Sequence, residues 1–187
     1  RKLLDIVRML PDGVKINVVL DGEKLIFFLE KTNNEWDMWC TDGTEEGTEL
    51  LKAGFIDEPA DYIEYKGLLY LSLMTADRET GYELWRTDGT TAGTQIAFEI
   101  YPGPSSAVPQ DFTLYDGLLY FTATDGIQGE ELYRTNGTAE GTELVEDIAV
   151  GSDSSSPNQL TVSNGALFFD AWDPYYGREL YKTVNVP

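Results

Sequence analysis

Four short apolar runs, at 25–28, 68–71, 118–121 and 166–169, each follow a turn-forming pair: Asp21-Gly22, Lys66-Gly67, Asp116-Gly117 and Asn164-Gly165. Asp-Gly and Asn-Gly accept positive φ at both central positions of a tight hairpin, and apolar residues flank them, so each pair predicts two antiparallel strands. The runs are too short for helices and apolar at consecutive positions, which predicts strands covered on both faces. A third strand carries a Leu-Trp or Leu-Tyr pair, and Gly47-Thr48, Gly93-Thr94 and Gly141-Thr142 each open a fourth, such as 143–148. The connections between units, Tyr101-Pro102-Gly103-Pro104-Ser105-Ser106 and Gly151-Ser152-Asp153-Ser154-Ser155-Ser156-Pro157, are Pro/Gly/Ser loops. No helical crossover is available, so parallel α/β architectures fall away.

The units are copies of one another. Met38-Trp39-Cys40-Thr41-Asp42-Gly43-Thr44 aligns with Leu84-Trp85-Arg86-Thr87-Asp88-Gly89-Thr90 and Leu132-Tyr133-Arg134-Thr135-Asn136-Gly137-Thr138, and a fourth copy begins at Leu180-Tyr181-Lys182-Thr183. Thr41, Thr87, Thr135 and Thr183 stand 46, 48 and 48 residues apart, a period that fits propeller blades. The expected fold is all-β, a β-propeller of four-stranded antiparallel blades in one domain over 1–187, with repeats near 14–55, 60–101, 109–150 and 157–183. Residues 2–7 look like a fourth strand (Leu3-Leu4-Asp5-Ile6 beside Leu144-Val145-Glu146-Asp147-Ile148), while the last repeat lacks one. The N-terminal strand is therefore expected to complete the last blade and close a ring of four. An arc of a larger propeller uses the same residues and stays open as the alternative.

The stretch Glu83-Leu84-Trp85-Arg86-Thr87-Asp88-Gly89-Thr90-Thr91-Ala92-Gly93-Thr94 and its counterpart at 131–142 resemble the ELWxxDGT repeat family of bacterial surface and secreted proteins. The resemblance runs in register over almost the whole chain. Departures are Asp37-Met38-Trp39 in the first copy, and Tyr133 and Tyr181 in place of Trp in the third and fourth. The resemblance implies a large extracellular or cell-surface protein, often with further domains, and transfers no catalytic residue.

Charge narrows the partners. With 33 acidic against 13 basic side chains the formal net charge is −20, which repels nucleic-acid phosphates and anionic lipid and favours cations and cationic partners. No run is long and apolar enough to span a membrane, and Arg1-Lys2-Leu3-Leu4-Asp5 reads as the start of a mature form or a fragment. Cys40 is the only cysteine, so no internal disulfide forms. The sequence contains no histidine, which removes imidazole metal sites and Ser-His-Asp or Cys-His nucleophilic schemes from these residues.

Asp42, Asp88 and Asn136 precede glycines where a hairpin reverses, so their side chains, with Thr44, Thr90 and Thr138, are expected to hold those turns. The spacing of a calcium loop is absent there, which leaves no cofactor expected and weak calcium binding open. Asp37, Glu83, Glu131 and Glu179 recur at the start of the aromatic strand. They are expected to bond backbone or to pair with Arg86, Arg134 or Arg178 rather than to act as paired acid and base. Trp39, Trp85, Tyr133 and Tyr181 are read as packing between blades.

The loops between second and third strands vary most, and variation on a repeated scaffold suits recognition. Trp172, Tyr175 and Tyr176 beside Asp173, together with Asp77 and Asp125 on neighbouring loops, are the candidate ligand-binding residues, offering stacking faces and acceptors for a sugar or a peptide. The expected role is a non-catalytic interaction or structural module of a bacterial surface or secreted protein, binding other surface proteins. A glycan-binding propeller lectin is the alternative, and a carboxylate-based glycosidase ranks last. Neither nucleic-acid binding nor membrane insertion is expected.

Overall fold

The computed structural model describes residues 16–21, 24–31 and 33–183. Among them the regular elements are fifteen strands in four antiparallel sheets, and there is no helix. The first sheet holds β1 (Ile16–Asp21), β2 (Lys24–Glu30), β3 (Trp36–Thr41) and β4 (Glu49–Phe55). The second holds β5 (Tyr62–Tyr65), β6 (Leu68–Leu73), β7 (Glu83–Thr87) and β8 (Gln95–Phe98). The third holds β9 (Gln110–Tyr115), β10 (Leu118–Thr124), β11 (Glu130–Thr135) and β12 (Thr142–Glu146), and the last β13 (Asn158–Ser163), β14 (Ala166–Asp173) and β15 (Gly177–Lys182). Among the described residues every strand pairs only with its neighbours in sequence.

The hairpins follow from the turn pairs. Lys66 and Gly67 (φ 52° and 74°), Asp116 and Gly117 (51° and 74°), and Asn164 and Gly165 (49° and 73°) all sit in the left-handed region, as a turn twisting with its strands requires. Lys66 adopts it without the usual Asn or Asp side chain. Its Nζ donates to Asn136 O at 3.0 Å in the next sheet and lies 5.0 Å from the centre of the Tyr65 ring.

The sheets stack face to face in chain order, and the core lies between them. Ile26, Phe28, Met38 and Cys40 meet Leu69, Leu71, Leu73 and Trp85 between the first and second sheets. Tyr70 and Leu84 meet Leu119, Phe121 and Tyr133 between the second and third. Tyr120 and Leu132 meet Leu167, Phe169 and Ala171 between the third and fourth. Polar bonds reach from each sheet to a turn of the next. Lys24 Nζ donates to Gly89 O (3.0 Å), Tyr65 Oη to Gly117 O (2.7 Å) and Tyr115 Oη to Gly165 O (2.9 Å).

The four sheets do not join into a closed ring among the described residues, and the last sheet has three strands rather than four. The strand expected at 2–7 lies outside the described residues.

Candidate functional site

The repeated Thr-Asp-Gly-Thr motif builds one turn three times. In the second sheet Gly89 N donates to Thr87 Oγ1 (3.0 Å), while Thr90 N and Oγ1 both donate to Asp88 Oδ1 (2.9 and 2.6 Å). Gly93 N then donates to Thr90 Oγ1 (3.0 Å), and the Thr87 and Thr94 hydroxyls meet at 2.7 Å across the base of the turn. Asp42, Thr44 and Gly47 repeat this pattern, as do Asn136, Thr138 and Gly141. In each copy the Asp or Asn oxygen already accepts two donors from its own loop.

The opposite ends of these strands form a rim with the connections between sheets. Gly81 N donates to Gly103 O (3.2 Å), Ala107 N to Tyr82 O (2.9 Å), Ser156 N to Glu130 O (3.1 Å) and Trp172 N to Ser155 O (2.7 Å). The contact is close: a Cβ on Gly81 would stand 2.0 Å from Ser105 O, and one on Gly129 2.1 Å from Asp153 O.

Each candidate aspartate on this rim caps its own loop. Asp77 Oδ1 accepts Thr75 Oγ1 (2.5 Å) and Glu79 N (3.1 Å), and the Thr75 hydroxyl above all holds its carboxyl below the ordinary range. Asp125 Oδ1 accepts Ile127 N and Gln128 N (2.8 and 3.1 Å), and Asp173 Oδ1 accepts Tyr175 N and Tyr176 N (2.7 and 3.0 Å). Tyr175 and Tyr176 are 87% and 79% exposed at the hairpin tip, and Trp172 is 37% exposed at the end of β14. The aromatic cluster is accessible, whereas Asp77 and Asp125 belong to separate loops.

Three of the four recurring carboxylates, Asp37, Glu83 and Glu131, are buried. Glu83 is fully buried and accepts Ile100 N (2.8 Å) and Tyr101 N (3.1 Å), which pins the chain as it leaves β8. Burial outweighs those bonds and pushes its carboxyl up to about 7. Glu131, also fully buried, accepts Ile148 N (3.3 Å), Ala149 N (3.2 Å), Ser155 N (3.1 Å) and the Ser155 hydroxyl, and burial raises it too. Asp37 accepts Gly54 N (3.0 Å) and pairs with Lys31 (2.9 Å). Glu179 is exposed. Arg134 pairs instead with Glu143 (2.6 Å), and Arg178 with Asp170.

One acidic feature has no marker in the repeat. A cleft of about 260 Å³ lies at the first strands of the sheets, lined by Asp61, Asp111, Phe112, Thr113, Gln159 and Leu160. Asp61 Oδ2 accepts Phe112 N at 3.0 Å, tying β9 to the chain entering β5. Asp111 has φ 58°, and its carboxyl is raised by burial and then by the charges of Asp61 and Glu130. Neither the period nor the turn pairs mark these two positions.

Four antiparallel sheets, stacked in chain order through apolar faces, define a propeller-type all-β protein. No protein-family model matches the chain, and no curated protein sequence does. Solved structures do match. A puromycin hydrolase shares the fold at TM-score 0.58 and 17% identity, over 91% of this chain and 27% of that one. A prolyl endopeptidase does so at TM-score 0.52 and 18% identity, over 91% and 24%. The β-propeller domain of the Trilobed protease from Pyrococcus furiosus, described as having an open velcro topology, matches at TM-score 0.52 and 15% identity, over 95% and 54%. The matched parts are propeller domains, and this chain spans about a quarter of the length of the first two proteins and 54% of the third, which is itself a propeller domain.

These matches correct the functional expectation. A non-catalytic module binding other surface proteins, with no enzyme involved, does not stand, because the similar propeller domains belong to hydrolases. The physical reason is that the repeat motif reports on turns and packing. Trp85, Asp88 and Gly93 would be the same whatever chemistry the propeller is attached to.

Proposed function

We propose that these residues are the propeller part of a larger hydrolase that cleaves peptide or aminoacyl amide bonds. The observation that supports it is the coverage: 91% of this chain matches the puromycin hydrolase, and the match takes up 27% of that protein. On this reading the nucleophile and its base come from outside these residues, since the sequence contains no histidine. The propeller contributes a wall that admits and orients substrate. Its rim offers Tyr175 and Tyr176, and its cleft offers Asp61 and Asp111, groups that favour substrates carrying an amine and an apolar part.

The test is hydrolysis of chromogenic aminoacyl and peptidyl amides by the polypeptide that carries this segment, with the 187-residue chain alone in parallel. Cleavage by the former and none by the latter is expected. A carrier polypeptide that cleaves no amide overturns the reading.

A further inference from the structure

Each sheet offers its successor one face, and the same position anchors it. Met38 is paired with Phe28, Leu84 with Ser72, Leu132 with Thr122 and Leu180 with Asp170, so the four residues are equivalent in register. Met38, Leu84 and Leu132 are 0%, 0% and 1% exposed, each under the second strand of the next sheet. Leu180 is 74% exposed. Phe168 and Trp172 share its face, because side chains alternate along β14 and Leu180 is paired with Asp170 between them. Lys182 Nζ lies 5.9 Å from the Phe168 ring centre.

We propose that this face of the last sheet is an interblade interface, and that its occupant is a further four-stranded sheet of the same ELWxxDGT-like repeat. The four sheets are then an arc of a larger propeller, an inference that rests on reading the chain as part of a longer protein. The occupant's chemistry follows from the three interfaces already formed. Its second strand carries apolar residues at alternate positions, as Leu69, Leu71 and Leu73, Leu119, Phe121 and Ala123, and Leu167, Phe169 and Ala171 do here. Its third strand carries Trp or Tyr stacked on the middle one, as Tyr133 stacks on Phe121 (6.1 Å, 22°) and Tyr181 on Phe169 (5.6 Å, 15°). Such a sheet covers Leu180 in the way its counterparts are covered.

Cys40 is the sole cysteine of these 187 residues and 1% exposed, so Leu180→Cys adds one reactive thiol among them, whose labelling is followed at position 180 by peptide mapping. In the longer polypeptide this thiol is expected to react with a maleimide at least about tenfold more slowly than in the 187-residue chain. Equal rates in the two overturn the proposal. Slow reaction in the 187-residue chain itself also overturns it: independence of concentration would identify the chain's own first sheet as the cover, and dependence on concentration a second copy. Leu180→Asp should lower the melting temperature of the longer polypeptide and leave that of the 187-residue chain unchanged; no effect on either counts against the interface. Amide hydrolysis is read separately, so a protected position 180 in a protein that cleaves nothing upholds this inference while the hydrolase reading fails.

Discussion

Asp88 Oδ1 stands 2.0 Å from the place where a Cβ on Gly93 would lie, so the turn closes only because position 93 carries no side chain. The same fit recurs between Asp42 and Gly47 at 2.2 Å and between Asn136 and Gly141 at 2.1 Å. Gly93→Ala is expected to cost about 2 kcal/mol by forcing the Asp88 carboxylate off its threonine donors. Asp88→Ala alone should cost about 1 kcal/mol, the worth of its hydrogen bonds. The double variant should fall short of the sum, because truncating Asp88 removes the clash. Urea unfolding of the four proteins measures this coupling, and strict additivity would contradict the fit.

The buried carboxyls set a slope of stability with pH. Glu83 titrates near about 7 in the fold, above its ordinary value of 4.5, so the folded state binds the extra proton between the two. Its contribution is full below the ordinary value, declines as pH rises towards about 7, and is lost above that. Glu131 and Asp111 are raised as well and tilt the curve the same way. The Glu83 share is at most about 3 kcal/mol. Glu83→Gln should flatten the slope without abolishing it, as read from chemical denaturation at several pH values.

Leu132 and Leu180 occupy the same place in two blades, yet the first is 1% and the second 74% exposed. Leu132→Ala should destabilise the chain by about 2–5 kcal/mol through a cavity between the third and fourth sheets. Leu180→Ala should change the 187-residue chain by less than about 0.5 kcal/mol. Thermal melts of the two variants compare them directly.

Salt should stabilise the chain by screening its net charge of −20. Calcium at matched ionic strength should add little at the repeated turns, because Asp42 and Asp88 Oδ1 each accept two threonine donors. Melts in sodium chloride and in calcium chloride check this, and a gain in calcium alone would require a dedicated site.

Much of the architecture is legible in the sequence because it is local. Asp116-Gly117 and Asn164-Gly165 specify their hairpins within two residues, and the spacing of Thr41, Thr87, Thr135 and Thr183 marks the sheets. The partners of Glu131 lie 17 to 24 residues away in sequence, on a connection whose Ser-rich composition says only that it is a loop. The hydroxyl contact between Thr87 and Thr94 is likewise a product of turn closure that composition does not reveal. Asp61 and Asp111 meet because the first strands converge and the backbone at Asp111 turns to positive φ, neither of which leaves a trace in hydrophobic patterning. The proposed hydrolase setting is illegible for a different reason, since blades are built alike around unrelated chemistries.

Because every described strand pairs only with its sequence neighbours among the described residues, each of the four sheets can be assembled from one uninterrupted stretch of chain. At the usual synthesis rate of about 5–20 residues per second, a blade leaves the ribosome within about ten seconds, and hairpin closure in microseconds is far faster. A newly made blade therefore has its hydrogen-bonding partners before the next begins to appear. What it lacks in that interval is a neighbour for the apolar side on which Leu84 or Leu132 stands. The exposed intermediate of synthesis is thus a folded sheet with one greasy side, and the order of translation sets the order of stacking.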